Sequence, residues 1–257
     1  MVLSPPRPEQ IGTFLLAFTR VAGLVFAAPV LGNRNIPAQV RILFSLLLTM
    51  VLLPLLPAAP VAPESAGFLP AMISEVLLGA FLGFVGTLLF AAAELGGHLA
   101  GYPMGFAIAN VLSAETERQT SVLSSLFALT ALLTFVLSDA HHLFLAALLK
   151  SFRSLPLGGF AVNGGATSSL IRLSTGIFSF GFALAAPVLA VTLFITVAMG
   201  ILSRSMPQID VFFMGFVVNT GAGIFMLFLS IPFFLAAIQR LIEILDGELH
   251  AILRIAG

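Results

Sequence analysis

Long apolar stretches separated by short polar joints set the pattern of this chain, with runs at 11–32, 40–62, 68–93, 121–138, 175–202 and 211–236 that are hydrophobic almost throughout. Crossing the ~30 Å hydrocarbon core of a bilayer takes about 20 helical residues. The runs therefore predict an all-α membrane protein with about six long hydrophobic helices arranged in hairpins. A shorter run at 141–149 predicts a half-helix or re-entrant piece. No connection is long enough to hold a separate soluble domain.

The pattern breaks at 96–120, where the glycine-rich GGHLAGYPMGFAIAN passes into the polar island VLSAETERQT before hydrophobicity resumes at Ser121. Gly97, Gly101 and Pro103 are candidate helix-bend residues, with Gly105 continuing the four-residue repeat. Unpaired backbone groups are costly in hydrocarbon, so a loosened helix there implies a cavity, a pore or a tightly covering partner. Close packing against another helix is the alternative for the same glycines, and the expected reading for the GxxxG pair Gly79 and Gly83.

Composition agrees with the pattern. Hydrophobic residues make up 59% of the chain and charged residues 9%, and the mean hydropathy is +1.13. That leaves too little polar surface for a water-soluble body of 257 residues. The N-terminus is polar and proline-broken, and Arg20 sits in the middle of the first apolar run, so no cleaved signal peptide is expected and residue 1 is read as mature. The absence of cysteine removes disulfides and thiolate metal sites. Eleven basic residues balance eleven acidic ones, which gives no reason to expect nucleic acid or a polybasic lipid anchor.

Charge does not assign a clean topology. Arg34 and Arg41 argue for a cytoplasmic loop after the first helix, yet strict alternation then places Lys150, Arg153 and Arg172 outside. Tryptophan is absent and Tyr102 is the only tyrosine, so an aromatic belt is missing as well. Both failures are expected if much of the surface meets protein rather than lipid.

Arg20 and Glu75 fall within apolar runs and Glu94 at the end of one, where each costs about 2.5–3.5 kcal/mol on insertion scales unless paired or hydrated. An ion pair between Arg20 and one of the glutamates, a contact to a neighbouring subunit, or a proton relay would each resolve this. Pro54, Pro57, Pro187 and Pro232 are expected to interrupt helices. In the tail, Ile238, Leu241, Ile242, Leu245, Leu249, Ile252 and Leu253 share one helical face and predict an amphipathic helix docking on a partner or lying on a membrane surface.

Catalysis has little support. The phosphate-loop, zinc-protease and serine-hydrolase signatures are missing. His141 and His142 are adjacent, about 100° apart on a helix, so with Asp139 they predict a polar cap rather than a metal site. Neither an enzyme nor a cofactor is expected.

Four stretches carry a resemblance. FTRVAGLVFAAPVLGNRNIPAQVRI, with Pro29, Arg34, Pro37 and Arg41, resembles the start of the FliR/SctT family of type III secretion export-gate membrane proteins. ISEVLLGAFLGFVGTLLFAAAELGGHLAGYPMGFAIANV is similar to that family's third segment, HHLFLAALLKSFRSLPLG to its mid-chain loop, and MGILSRSMPQIDVFFMGF, with Arg204, Pro207 and Gln208, to the turn before its last helix.

The resemblance implies a non-enzymatic component of the export gate in the bacterial inner membrane and flagellar basal body. Its partners would be FliP-like and FliQ-like subunits, FlhB-like and FlhA-like proteins nearby, unfolded export substrates and membrane lipids. A virulence injectisome subunit of the SctT type is the alternative, with a stand-alone transporter or ion channel as a rival from another class. The resemblance also implies a FliP-like portion at 1–172 followed by a FliQ-like helical hairpin at 173–257. A pore-plugging loop is expected at about 104–121, including Met104, Gly105, Phe106, Ile108, Val111, Glu115, Glu117 and Arg118. The chain departs from the family's usual pattern at Ser113-Ala114, where Asp-Pro is frequent, at Asp139-Ala140, where Asn-Gly is frequent, and at Val217, where proline is common.

Overall fold

The computed structural model describes residues 8–32, 36–57, 61–106, 121–160, 164–205 and 210–256. Seven α-helices account for most of them: α1 (Pro8–Ala27), α2 (Ala38–Leu52), α3 (Phe68–Gly101), α4 (Val122–Leu137), α5 (His141–Ser154), α6 (Gly164–Ser205) and α7 (Val211–Ala256). A 3-10 turn, Leu53–Leu55, follows α2, and no strand occurs among the described residues. Five helices are long and apolar enough to cross a membrane, or six if α4 and α5, bent by 65° at their junction, count as one broken span. The fold class is thus the expected all-α membrane architecture, and the run at 141–149, expected as a half-helix or re-entrant piece, lies in the 14-residue α5.

Proline decides some ends and not others. The first apolar run reads on to residue 32, but helix α1 stops at Ala27 because Pro29 disfavours helical geometry in the residue before it. Pro54 opens the 3-10 turn that ends α2. Pro187 and Pro232, expected as interruptions, lie inside continuous helices of 42 and 46 residues. In apolar surroundings the remaining backbone has no alternative hydrogen-bond partner, so the helix continues past the lost bond.

The chain forms two compact units interleaved along the sequence, and the expected boundary at 172/173 falls inside α6. The first unit comprises Met1–Leu88, Asp139–Leu173 and Glu243–Gly257. Its core is the crossing of α1 with the first part of α3, where Leu16, Ala17, Val21, Leu24, Leu78, Leu82 and Val85 are buried. Glycines set how closely these helices approach. A Cβ at Gly79 would overlap the Arg20 carbonyl oxygen, and one at Gly83 would lie 2.6 Å from the Leu24 carbonyl oxygen. Helix α2 turns its Ser45, Thr49 and Leu52 face inward and exposes Leu43, Leu47, Met50 and Val51. Hydroxyls inside and aliphatics outside invert the arrangement of a soluble helix, and the buried hydroxyls are satisfied by Arg41 and Ser45 carbonyls at 2.8 and 2.7 Å.

The second unit comprises Leu89–Ser138 and Ser174–Ile242. Gly97 admits α4 so closely that a Cβ there would lie 2.5 Å from the Ser124 Cα. Phe127 meets Phe234 edge-on at 4.6 Å between ring centres. Phe178, Phe194, Phe225 and Phe228 are exposed, an exterior suited to lipid or protein neighbours and not to water.

The tail carries one correction. Ile238, Leu241, Ile242, Leu245 and Leu249 are buried as the amphipathic pattern requires, and α7 runs unbroken through Gly247. Over these five residues the apolar face is covered by the chain's own fold rather than by a partner or a membrane surface; the side chains of Ile252 and Leu253 lie outside those described.

Candidate functional site

Two constellations stand out, one in each unit. In the first, Arg20 of α1 and Glu75 of α3 form an ion pair with both side chains fully buried. Arg20 Nε donates to Glu75 Oε2, and Nη2 donates to Glu75 Oε1 at 2.9 Å. Nη1 reaches Ser151 Oγ at 3.3 Å, and Nη1 and Nη2 both reach the Leu155 carbonyl at 3.4 Å. The guanidinium also lies 4.5 Å from the centre of the Phe152 ring. Glu75 Oε1 accepts a further bond of 2.6 Å from the Gly158 N–H. Gly158 presents that N–H from a positive φ of 80°, a conformation that glycine adopts without strain.

A planar, five-donor fork matched to a carboxylate is the arrangement that makes a buried pair tolerable. The network ties α1, α3, α5 and the 155–158 loop to one point. Of the three acidic and basic residues singled out in apolar runs, the structure brings Arg20 and Glu75 together, while Glu94 is exposed on α3. Ser151, the Leu155 carbonyl and Gly158 escaped sequence reasoning, because a backbone acceptor and a loop N–H leave no residue-type signal.

The second constellation is the root of the 104–121 segment. Helix α3 stays regular through Gly97 to Gly101, and the chain turns only at Tyr102–Gly105, with Gly105 N–H donating to the Tyr102 carbonyl at 3.1 Å. Gly105 has φ +83°, and a side chain there would collide with the Phe216 ring of α7. Met104 is 1% exposed. Its carbonyl accepts from Thr220 Oγ1 at 2.7 Å, and its side chain covers Gly223, where a Cβ would lie 2.6 Å from Met104 Cγ. Phe106 is half-buried. Ile108, Val111, Glu115, Glu117 and Arg118 lie outside the described residues. At the start of α4, Ser121 and Ser124 are buried with hydroxyls that have no partner among the described residues.

The chain matches the family of bacterial export proteins, family 1, across residues 11–245. It belongs to that family. It is similar to the flagellar biosynthetic protein FliR of Buchnera aphidicola subsp. Acyrthosiphon pisum, 30% identical over 234 residues, 91% of this chain and 90% of the relative. It is likewise similar to FliR of Escherichia coli strain K12, 30% identical over 83% of this chain and 82% of the relative, and to FliR of Bacillus subtilis strain 168, 26% identical over 95% of each. The chain is a flagellar export apparatus component, a multi-pass protein of the bacterial inner membrane that works in a complex with other export-apparatus proteins.

Four of the residues that carried the family resemblance are described. Pro29 lies in the turn after α1. Pro37 caps α2, and the Arg41 guanidinium rests 4.6 Å over the Phe26 ring centre. Arg204 is exposed near the end of α6; Arg34, Pro207 and Gln208 lie outside the described residues. Asp139-Ala140, where the resemblance led to an expectation of Asn-Gly, forms the turn into α5. The left-handed conformation falls on Asp139, at φ 53°, which Asn and Asp tolerate, and Ala140 takes an ordinary −63°. His141 and His142 are nearer than their helical spacing suggested. Their ring centres are 4.2 Å apart, and with Asp139 their ligand atoms fall within 4.8 Å of one another. All three are exposed at the N-terminus of α5, where the helix dipole disfavours a cation.

Proposed function

We propose that this chain forms part of the wall and closure of the flagellar type III export gate, the channel through which unfolded flagellar subunits leave the cytoplasm. In this reading 1–172 is its FliP-like portion and 173–257 its FliQ-like hairpin, assembled with FliP-like and FliQ-like subunits beside FlhB-like and FlhA-like proteins. The 104–121 stretch contributes the resting seal, with Phe106, Ile108 and Val111 closing a narrow lumen and Glu115, Glu117 and Arg118 in water. No catalytic step is assigned to the chain, and export draws on energy supplied by other components.

The observation that carries this reading is the seating of Met104 and Gly105 on α7, because a closure element must leave its scaffold from a fixed point. The sealed Arg20–Glu75 network, with both side chains fully buried, favours a structural clamp over the ion relay of a stand-alone transporter, which needs access to water. Deleting 108–119 is expected to leave the complex assembled and to raise its permeability to small ions, measured as conductance of the purified complex in planar bilayers. Unchanged conductance in an intact complex would remove the sealing role.

A further inference from the structure

The seat beneath Met104 has the form of a switch. Phe216, Thr220 and Gly223 lie at i, i+4 and i+7 on α7, one stripe of that helix, and all three touch the turn that ends α3. Thr220 Oγ1 has a single proton and two carbonyl acceptors. Met104 O lies at 2.7 Å and the helix's own Phe216 O at 2.8 Å. A hydroxyl donates to one of them at a time. With the turn in place, the proton bridges α7 to Met104. With the turn lifted, the same hydroxyl rotates back to Phe216 O and no donor is left unsatisfied, a fallback that serine and threonine have in any helix.

Lifting the turn therefore exchanges one acceptor of the Thr220 hydroxyl for another and leaves only the Met104 carbonyl to find a new donor. Gly223 supplies the other half of the seat. Only a residue without a side chain leaves room for the Met104 thioether, which lies 2.7 Å from where a Cβ would stand. Methionine, flexible and unbranched, can leave and refill such a depression without a fixed rotamer.

We propose that Thr220 is a positioning residue for the export gate, holding the end of α3 through the Met104 carbonyl in the resting state and releasing it by rotation of its hydroxyl to Phe216 when the channel opens. This rests on the reading of 104–121 as the resting seal. This chain has no cysteine of its own, so an introduced pair has no competing partner within it. A Met104→Cys/Gly223→Cys pair should form a disulfide at rest, because the Met104 Cγ position, where the new sulfur would sit, is 2.6 Å from the position of a Cβ at 223. Oxidation should then abolish export, and a reductant should restore it.

Thr220→Val keeps the shape and removes the donor. It leaves the Met104 carbonyl, in a residue 1% exposed, without its donor in the seated turn alone, and should raise the resting conductance about fivefold, the shift that a penalty of ~1 kcal/mol produces, whereas Thr220→Ser should return it to the unmodified level. Undiminished export by the cross-linked complex, or a Thr220→Val complex as tight as its Thr220→Ser counterpart, overturns the proposal. If the 108–119 deletion conducts while Thr220→Val does not, the seal stands and the switch falls. If the deletion does not conduct, the seal falls and the disulfide arm still decides whether the seat controls export.

Discussion

Arg20→Ala is expected to abolish accumulation of the chain in the membrane. The substitution leaves the Glu75 carboxylate fully buried with the Gly158 N–H as its remaining partner in the network. Removing one member of a buried ion pair costs about 3–5 kcal/mol, a large part of the ~5–15 kcal/mol that holds a typical domain together. It also releases the Ser151 hydroxyl, the Leu155 carbonyl and the Phe152 ring from one another.

The measurement is the amount of chain in washed membranes and its recovery in the purified complex. The double replacement Arg20→Met/Glu75→Leu should restore much of both, because exchanging a buried pair for apolar residues of similar volume is often neutral or stabilising. A single Arg20→Ala chain that accumulates and exports normally would refute the clamp. A double variant that assembles fully but does not export would return the pair to a functional role.

Gly79→Val is the second large effect. Its Cβ would overlap the Arg20 backbone carbonyl, and that atom cannot swing aside as the end of a long side chain can. The α1–α3 crossing must open, and overpacking a core of this kind costs typically 1–3 kcal/mol and sometimes more. Opening it also displaces the Arg20 guanidinium from Glu75, so the expected outcome is a marked fall in the thermal stability of the detergent-solubilised complex, or no complex at all. Gly247→Ala is the internal control. It sits mid-helix in α7 with open space around it, and it should be neutral or stabilising by roughly 0.5–1 kcal/mol because alanine restricts the unfolded chain. A Gly79→Val complex as stable as the Gly247→Ala complex would contradict the packing assigned to this crossing.

Much of this was legible in the residues because it depends on periodicity and on the cost of burying charge. The tail is the clearest case: Ile238, Leu241, Ile242, Leu245 and Leu249 read as one face and are buried as one face. What covers that face was not legible, since a helix pattern says that an apolar stripe must be buried and not by what. Arg20 demanded a partner, and the residue types offered Glu75 and Glu94. Choosing between them required the α1–α3 crossing, which Gly79 and Gly83 set. Most of the clamp's remaining ligands were invisible for a simple reason, namely that the Leu155 carbonyl and the Gly158 N–H are backbone groups. The same holds for the Met104 seat, where the informative atoms are a carbonyl, a threonine hydroxyl and the missing side chain of Gly223. The glycines of 96–105 announced a loosened helix, yet Gly97 serves close packing against Ser124, and the turn waits until Tyr102.

Gentle solubilisation followed by mass measurement of the native complex tests the central claim most directly. The account predicts that the chain is recovered in a hetero-oligomer with FliP-like and FliQ-like subunits. Recovery of the intact chain as a lone monomer or a homodimer would contradict it.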